Sequence, residues 1–126
     1  MIASAGSTMW KDKNYTILNL PSILDGLVLG HLPYRLQSDL NLVIDMDGKS
    51  TVYMAFHPSS YSDNLTVWLQ INNWTELDGD ITYSGENGTE ILSHIWSKVL
   101  LSKDEISLAH ELEVHTVAMF IKLGKH

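Results

Sequence analysis

Short apolar runs separated by turn dipeptides dominate this chain, a pattern that predicts extended strands rather than long helices. The clearest signal is LNLVIDMDGKSTVYMAFH, residues 40–57. Two runs rich in β-formers flank Asp47-Gly48, a dipeptide suited to the positive φ angles of a tight turn. The expectation is a hairpin with strands near 40–46 and 50–56. A two-residue turn sets Leu42 and Ile44 on the side of Thr51 and Tyr53, and a longer loop sets them with Val52 and Met54. A one-residue slip exchanges the two faces, so the register stays open.

The same reading gives strands at YTILNLP, ended by Pro21, and at DGLVLGHLPY, interrupted by glycine. LTVWLQI, residues 65–71, is expected as a strand after a polar loop. Asp78-Gly79 and Asn87-Gly88 are expected turns on either side of a short strand near residues 81–83. In TEILSHIWSKVLL the apolar positions 91, 92, 95, 96, 99 and 100 fit a helix face better than alternation, and residues 102–105 resemble a helix cap. Against that stands ISLAHELEVHTVAMFI, which alternates and predicts two strands joined through residues 111–114. Periodicity leaves residues 90–101 open between helix and strand.

At 126 residues the chain has the size of one domain. Residues 1–8 are expected as a disordered or vector-derived leader and residues 9–126 as the domain. A net charge of -7, with eight Lys and Arg scattered singly, argues against nucleic acid and against anionic membranes. No apolar run approaches the roughly 20 residues of a membrane span. The absence of cysteine removes disulfides, thiolate zinc sites and cysteine nucleophiles together.

Four N-glycosylation acceptors are present, at Asn14, Asn64, Asn73 and Asn87. The seven Asn of this chain predict roughly one such match by chance. The excess points to passage through a secretory pathway and to a secreted or cell-surface location.

AHELEVH, residues 109–115, imitates a zinc-protease helix, but His110 and His115 are five apart. On a helix that spacing turns the second imidazole by about 140°, and on a strand it sends the two rings to opposite faces. His31, His57 and His94 are isolated and read as ordinary surface or strand residues. IDMDG places Asp45 and Asp47 two apart, yet the other ligands of a calcium loop are absent, so it reads as a turn. No nucleophile elbow, phosphate loop or dinucleotide fingerprint occurs. No metal and no cofactor are expected. Trp68 and Trp96 sit inside apolar runs and read as core anchors. The candidate ligand platform is Tyr61, in a polar loop, with Trp74 as a second aromatic and His57, Asp63 and Asn72 as polar neighbours.

Taken in order, LPSILDGLVLGHL, STVYMAFH, LTVWLQINNW, HIWSKVLLSKDEISLAHE and HTVAMFIK resemble a β-sandwich accessory domain. That domain occurs in large secreted or surface proteins, often beside carbohydrate-active catalytic domains and discoidin-type modules. The likeness spans roughly residues 10–122. It implies a strand over residues 94–101 and a hairpin turn at 102–105. It departs from the family pattern at His57, where Asp is favoured, and at His110, where a Gly would end the strand. The resulting expectation is an all-β antiparallel sandwich of about seven to nine strands, with jelly-roll and immunoglobulin-like topologies both open. Its role would be non-catalytic: extracellular adhesion or spacing through a protein partner first, glycan binding through exposed aromatics second, and hydrolysis third.

Overall fold

The computed structural model of the chain describes residues 2–30, 32, 34, 40–44, 49–58, 62–100, 104–108 and 116–123. The fold is all-β and antiparallel, with one short helix. Its strands are β1 (Ile17–Asn19), β2 (Val28–Leu29), β3 (Leu40–Ile44), β4 (Ser50–Phe56), β5 (Thr75–Ser84), β6 (Glu90–Leu100), β7 (Asp104–Leu108) and β8 (Val117–Leu123), and helix α1 is Asp63–Ile71. Six of them form a sheet in the order β1-β5-β6-β4-β8-β2, while β3 and β7 pair separately.

β4 lies between β6 and β8 and is buried on both faces, which explains its near-continuous apolar run. Trp96, Met54 and Met119 are opposed across the three strands, and all belong to a first core cluster with Val52, Phe56 and Leu100. The alternate residues Tyr53, Ala55, Ile95, Ala118 and Phe120 belong to a second cluster on the other face. The same two-sided burial resolves residues 90–100, which are strand. Their apolar residues come in adjacent pairs, one for each face, so that Ile95 and Trp96 enter different clusters. Pairs spaced by four imitate a helix period.

Helix α1 covers the first face. LTVWLQI was expected as a strand, and this is corrected. Alternation would place Leu65, Val67, Leu69 and Ile71 on one side, yet Leu65 and Leu69 are fully buried while Val67 and Ile71 are 52% and 73% exposed. Helical spacing instead sets Leu65, Trp68 and Leu69 together on the core. Ser62 caps the start: its hydroxyl accepts from the Leu65 N–H at 3.2 Å, and Asp63 complements the helix dipole. The end is a Schellman motif with Asn73 at φ 66° where Gly is usual. There Trp74 N–H donates to Leu69 O and Asn73 N–H to Gln70 O. The motif carries Trp74 into the core beside Leu69.

Residues 2–30, with Leu32 and Tyr34, cover the second face. Residues 2–8, expected outside the domain, are seated in it: Ala3 is fully buried, Ile2 bridges Val28 beside β8, and Thr8 bridges Thr16 beside β1. The segment thus touches both edges of the sheet. Six residues of chain reach about 20 Å, whereas five flat interstrand spacings need about 24 Å, so the sheet must curl to bring its edges within range.

Four further expectations are corrected. β3 and β4 do not form a hairpin, because β4 has both edges occupied and β3 pairs with β7. Ile44 opposes Asp104 and Ser50 opposes Leu100, so the same two stretches of chain run against each other on both sides of a break. The Asp47-Gly48 turn itself, with the calcium candidates Asp45 and Asp47, lies outside the described residues. β7 and β8 likewise have other partners, and Asp104 and Glu105 belong to β7 rather than to a turn. His31, His110 and His115 are outside the described residues. Asp78-Gly79 is not a turn: it lies in β5, whose register shifts between Glu76 and Asp80, with Gly79 at φ 107°.

Candidate functional site

The second cluster is rich in aromatic rings, and its outer end opens into a pocket. The segment WKDKNY, residues 10–15, is anchored at its two ends: Trp10 is buried and Tyr15 half-buried, while Lys11, Asp12, Lys13 and Asn14 between them are exposed. Trp10 is fixed by its Nε1–H, which donates to Val117 O at 3.1 Å. Around it, Tyr34 and Tyr83 lie edge-on with centroids at 4.8 and 4.9 Å. Tyr15 meets Tyr34 edge-on at 5.1 Å, and His57 approaches Tyr34 and Tyr83 at 6.5 and 6.3 Å. These are the offset and edge-to-face geometries that ring quadrupoles favour.

A pocket of about 610 Å³ lies against this cluster, lined by Asp12, Lys13, Tyr15, Tyr34, Asn87, Thr89 and Ile91. Its size falls in the roughly 300–1,000 Å³ range of small-molecule sites. Asp12 ties two walls together, since one carboxylate oxygen accepts the Tyr34 N–H at 2.8 Å. Lys13 Nζ lies 5.8 Å from the Tyr15 ring centre and 6.0 Å from that of Tyr34, within cation–π range. The remaining wall is the turn between β5 and β6. Asn87 at φ 59° and Gly88 at φ 74° let it reverse tightly, and Gly85 N–H donates to Thr89 O at 2.7 Å. A Cβ on Gly85 would come within 2.7 Å of the Ile91 Cδ1 and would push that wall.

Burial raises the Tyr83 phenol well above its ordinary value, with Tyr34 and then Tyr15 adding to the shift. Its hydroxyl is enclosed without a hydrogen bond of standard geometry among the described residues. Burial also lowers the His57 imidazole. Tyr15 and Tyr34 therefore present the accessible aromatic surface, and Tyr83 and Trp10 support them from beneath.

Among the described residues, the members of the expected platform do not come together. Trp74 is 5% exposed and packs in the first cluster, so its ring face is unavailable to a ligand. Asp63 begins α1 and Asn72 caps its other end, donating its Nδ2–H to Trp68 O at 2.8 Å. A nine-residue helix separates those two by about 13 Å. His57 belongs to the aromatic cluster on the opposite face, and Tyr61 lies outside the described residues. The sequence reading missed Trp10, Tyr15 and Tyr34. The aromatic residues that bracket the charged run 11–13 were a local signal, but their meeting with residues 87–91 comes only from the strand order.

All four sequon asparagines, Asn14, Asn64, Asn73 and Asn87, are exposed. Asn87 lines the pocket, and Asn14 lies between its residues Lys13 and Tyr15. Among the described residues no three His, Asp or Glu side chains gather as a metal site. His94 and Asp80 form an exposed pair at 3.5 Å. No helix among them is long and apolar enough to cross a membrane.

No protein-family model and no curated protein matches the chain. Among solved structures, a beta-glucuronidase from glycoside hydrolase family 2 is similar in fold, with a TM-score of 0.69 at 11% sequence identity. The likeness covers 98% of this chain and 13% of that enzyme, so this chain corresponds to a small part of its length.

Proposed function

We propose that the chain is a non-catalytic, carbohydrate-associated domain of an extracellular protein, and that it holds a saccharide in the Tyr15–Tyr34 pocket. The observation that carries this reading is the composition of the pocket. Two accessible phenol rings offer faces for the C–H groups of a sugar ring, while Asp12, Asn87 and Thr89 offer polar groups for its hydroxyls. Small-molecule sites of this size combine aromatic walls with a few placed polar groups. The fold likeness to a portion of a carbohydrate-active enzyme supports the same reading. The exposed sequons support a secretory route, with glycans carried at Asn64 and Asn73, which do not line the pocket.

A protein partner is the second reading. It is favoured by Val67 and Ile71, which lie one helical turn apart on the outer side of α1 and are 52% and 73% exposed. The two readings use opposite faces of the molecule.

The test is a calorimetric titration of oligosaccharides into protein expressed through a secretory pathway, whose mass falls on glycosidase treatment if the sequons are used. Tyr34→Ala is expected to weaken saccharide binding at least about tenfold, a loss of about 1.4 kcal/mol, and Ile71→Ser to leave it unchanged. Absence of binding to any saccharide, or binding that survives Tyr34→Ala, would overturn the proposal in favour of the protein-partner reading. Turnover of a glycoside by the purified chain would overturn its non-catalytic part.

A further inference from the structure

Resting on the saccharide-pocket reading, we propose that this pocket selects sugars that carry a carboxylate, and that the Lys13 ammonium is the group that reads it. Lys13 is the one cation among the described residues that line the pocket. It has no carboxylate partner among them, and its recorded neighbours are the rings of Tyr15 and Tyr34. Asp12 is adjacent in sequence, yet its carboxylate is turned to the Tyr34 backbone N–H at 2.8 Å. The acid therefore serves to join two walls, and the ammonium is left available to a ligand.

The geometry suits a sugar acid better than a simple anion. A pyranose stacking on these rings displaces the ammonium from their faces to the edge of the sugar, where its three N–H donors meet a carboxylate. Asn87 and Thr89 are neutral and exposed on the facing turn, and they bring hydrogen-bonding groups without a second formal charge. The chain as a whole carries -7, so its long-range field repels an anion. Selection must then arise from this local charge. Because Lys13 is exposed, its contribution is modest and screened by salt.

The experiment titrates the whole chain with two disaccharides that differ at one group, one ending in a uronic acid and the other in the corresponding neutral hexose, with acetate as a third probe. The expected result is a preference of about two- to fivefold for the uronic acid, shrinking as salt is raised. Lys13→Gln is expected to bring the two sugars to parity, and Lys13→Arg to retain the preference. Parity in the unmodified chain, or a preference that persists in Lys13→Gln, overturns the proposal. The saccharide pocket itself still stands in that case, provided Tyr34→Ala removes both sugars. Acetate bound as tightly as the uronic acid also overturns it, since the site would then be one for anions. Failure of both sugars to bind overturns the selectivity together with the reading beneath it.

Discussion

The two faces of the central strands are built from the same three stretches of chain and end in different surfaces. On the first, Trp96, Met54 and Met119 are closed over by Leu65, Leu69 and Trp74, all of them buried. On the second, Tyr53, Ala55 and Phe120 are closed over by residues 2–30 with Leu32 and Tyr34, and the cover grades from Ala3 and Leu24 into Trp10, Tyr15 and Tyr34. Aliphatic and thioether side chains fill space and seal it. Phenol rings, which among the described residues belong to the second cluster alone, fill space while keeping a polar edge that must find a partner or reach water. A core made of the second kind can therefore become a site at its margin without a separate scaffold.

The sharpest way to break this comparison is to empty each face in turn. Leu69→Ala is expected to cost about 2–5 kcal/mol of stability in urea denaturation and to leave saccharide affinity unchanged in the folded fraction. Trp10→Ala is expected to cost about 3–5 kcal/mol and to abolish saccharide binding as well, because Tyr34 rests on that ring at 4.8 Å. Trp10→Phe keeps most of the volume and loses the bond to Val117 O. It should remain folded and show weakened binding if the chain with Ala does not fold. Equal effects of Leu69→Ala and Trp10→Phe on binding would show the faces to be coupled, and the distinction would fall.

The same contrast explains what could be read from the sequence. β4, β6 and β8 were legible as apolar runs because burial on both faces leaves little room for polar residues. Residues 90–100 were ambiguous for that very reason, since pairs such as Ile95 and Trp96 serve two faces at once. LTVWLQI was misread because Leu, Val, Trp and Ile suit a strand. What makes it a helix is at its ends, where Ser62 and the Asn72-Asn73 pair satisfy the free backbone groups. Asp47-Gly48 carried a strong local turn signal, while the pairing of β3 with β7 is non-local and leaves no mark on either strand alone. The pocket was the least legible part. Lys13 and Asn87 are 74 positions apart in the chain, and only the curled sheet brings their segments to one wall.

A smaller effect separates the faces by pH. His57 packs against Tyr83 and Tyr34, and burial lowers its pKa from the ordinary 6.5. The native state therefore binds this proton less readily than the unfolded chain does. Stability from this group is full above pH 6.5, begins to fall as the pH drops through that value, and levels off below the depressed native value. His57→Gln is expected to flatten that part of the profile, read as the difference in urea midpoint between pH 7.5 and 5.5 against the unmodified chain. A difference of the opposite sign would mean that the protonated imidazole is stabilised in the cluster, making this face more polar than its burial implies.

The smallest expected effect bears most directly on the difference between packing and site. The Tyr83 hydroxyl is fully buried and makes no hydrogen bond of standard geometry among the described residues. A buried hydroxyl without a standard hydrogen bond carries a desolvation penalty of about 1–3 kcal/mol, which its removal relieves in part. Tyr83→Phe keeps the ring that supports Trp10 at 4.9 Å. The expected result is a stability unchanged or raised by up to about 1 kcal/mol, with saccharide affinity retained. A loss above about 1 kcal/mol would show that Tyr83 shares its proton with Tyr34 in solution, since Tyr34 already favours the neutral form of Tyr83. In that case the second face would be joined by hydrogen bonds from the pocket to its interior, and Tyr83 would act in positioning Tyr34 rather than as filling beneath it.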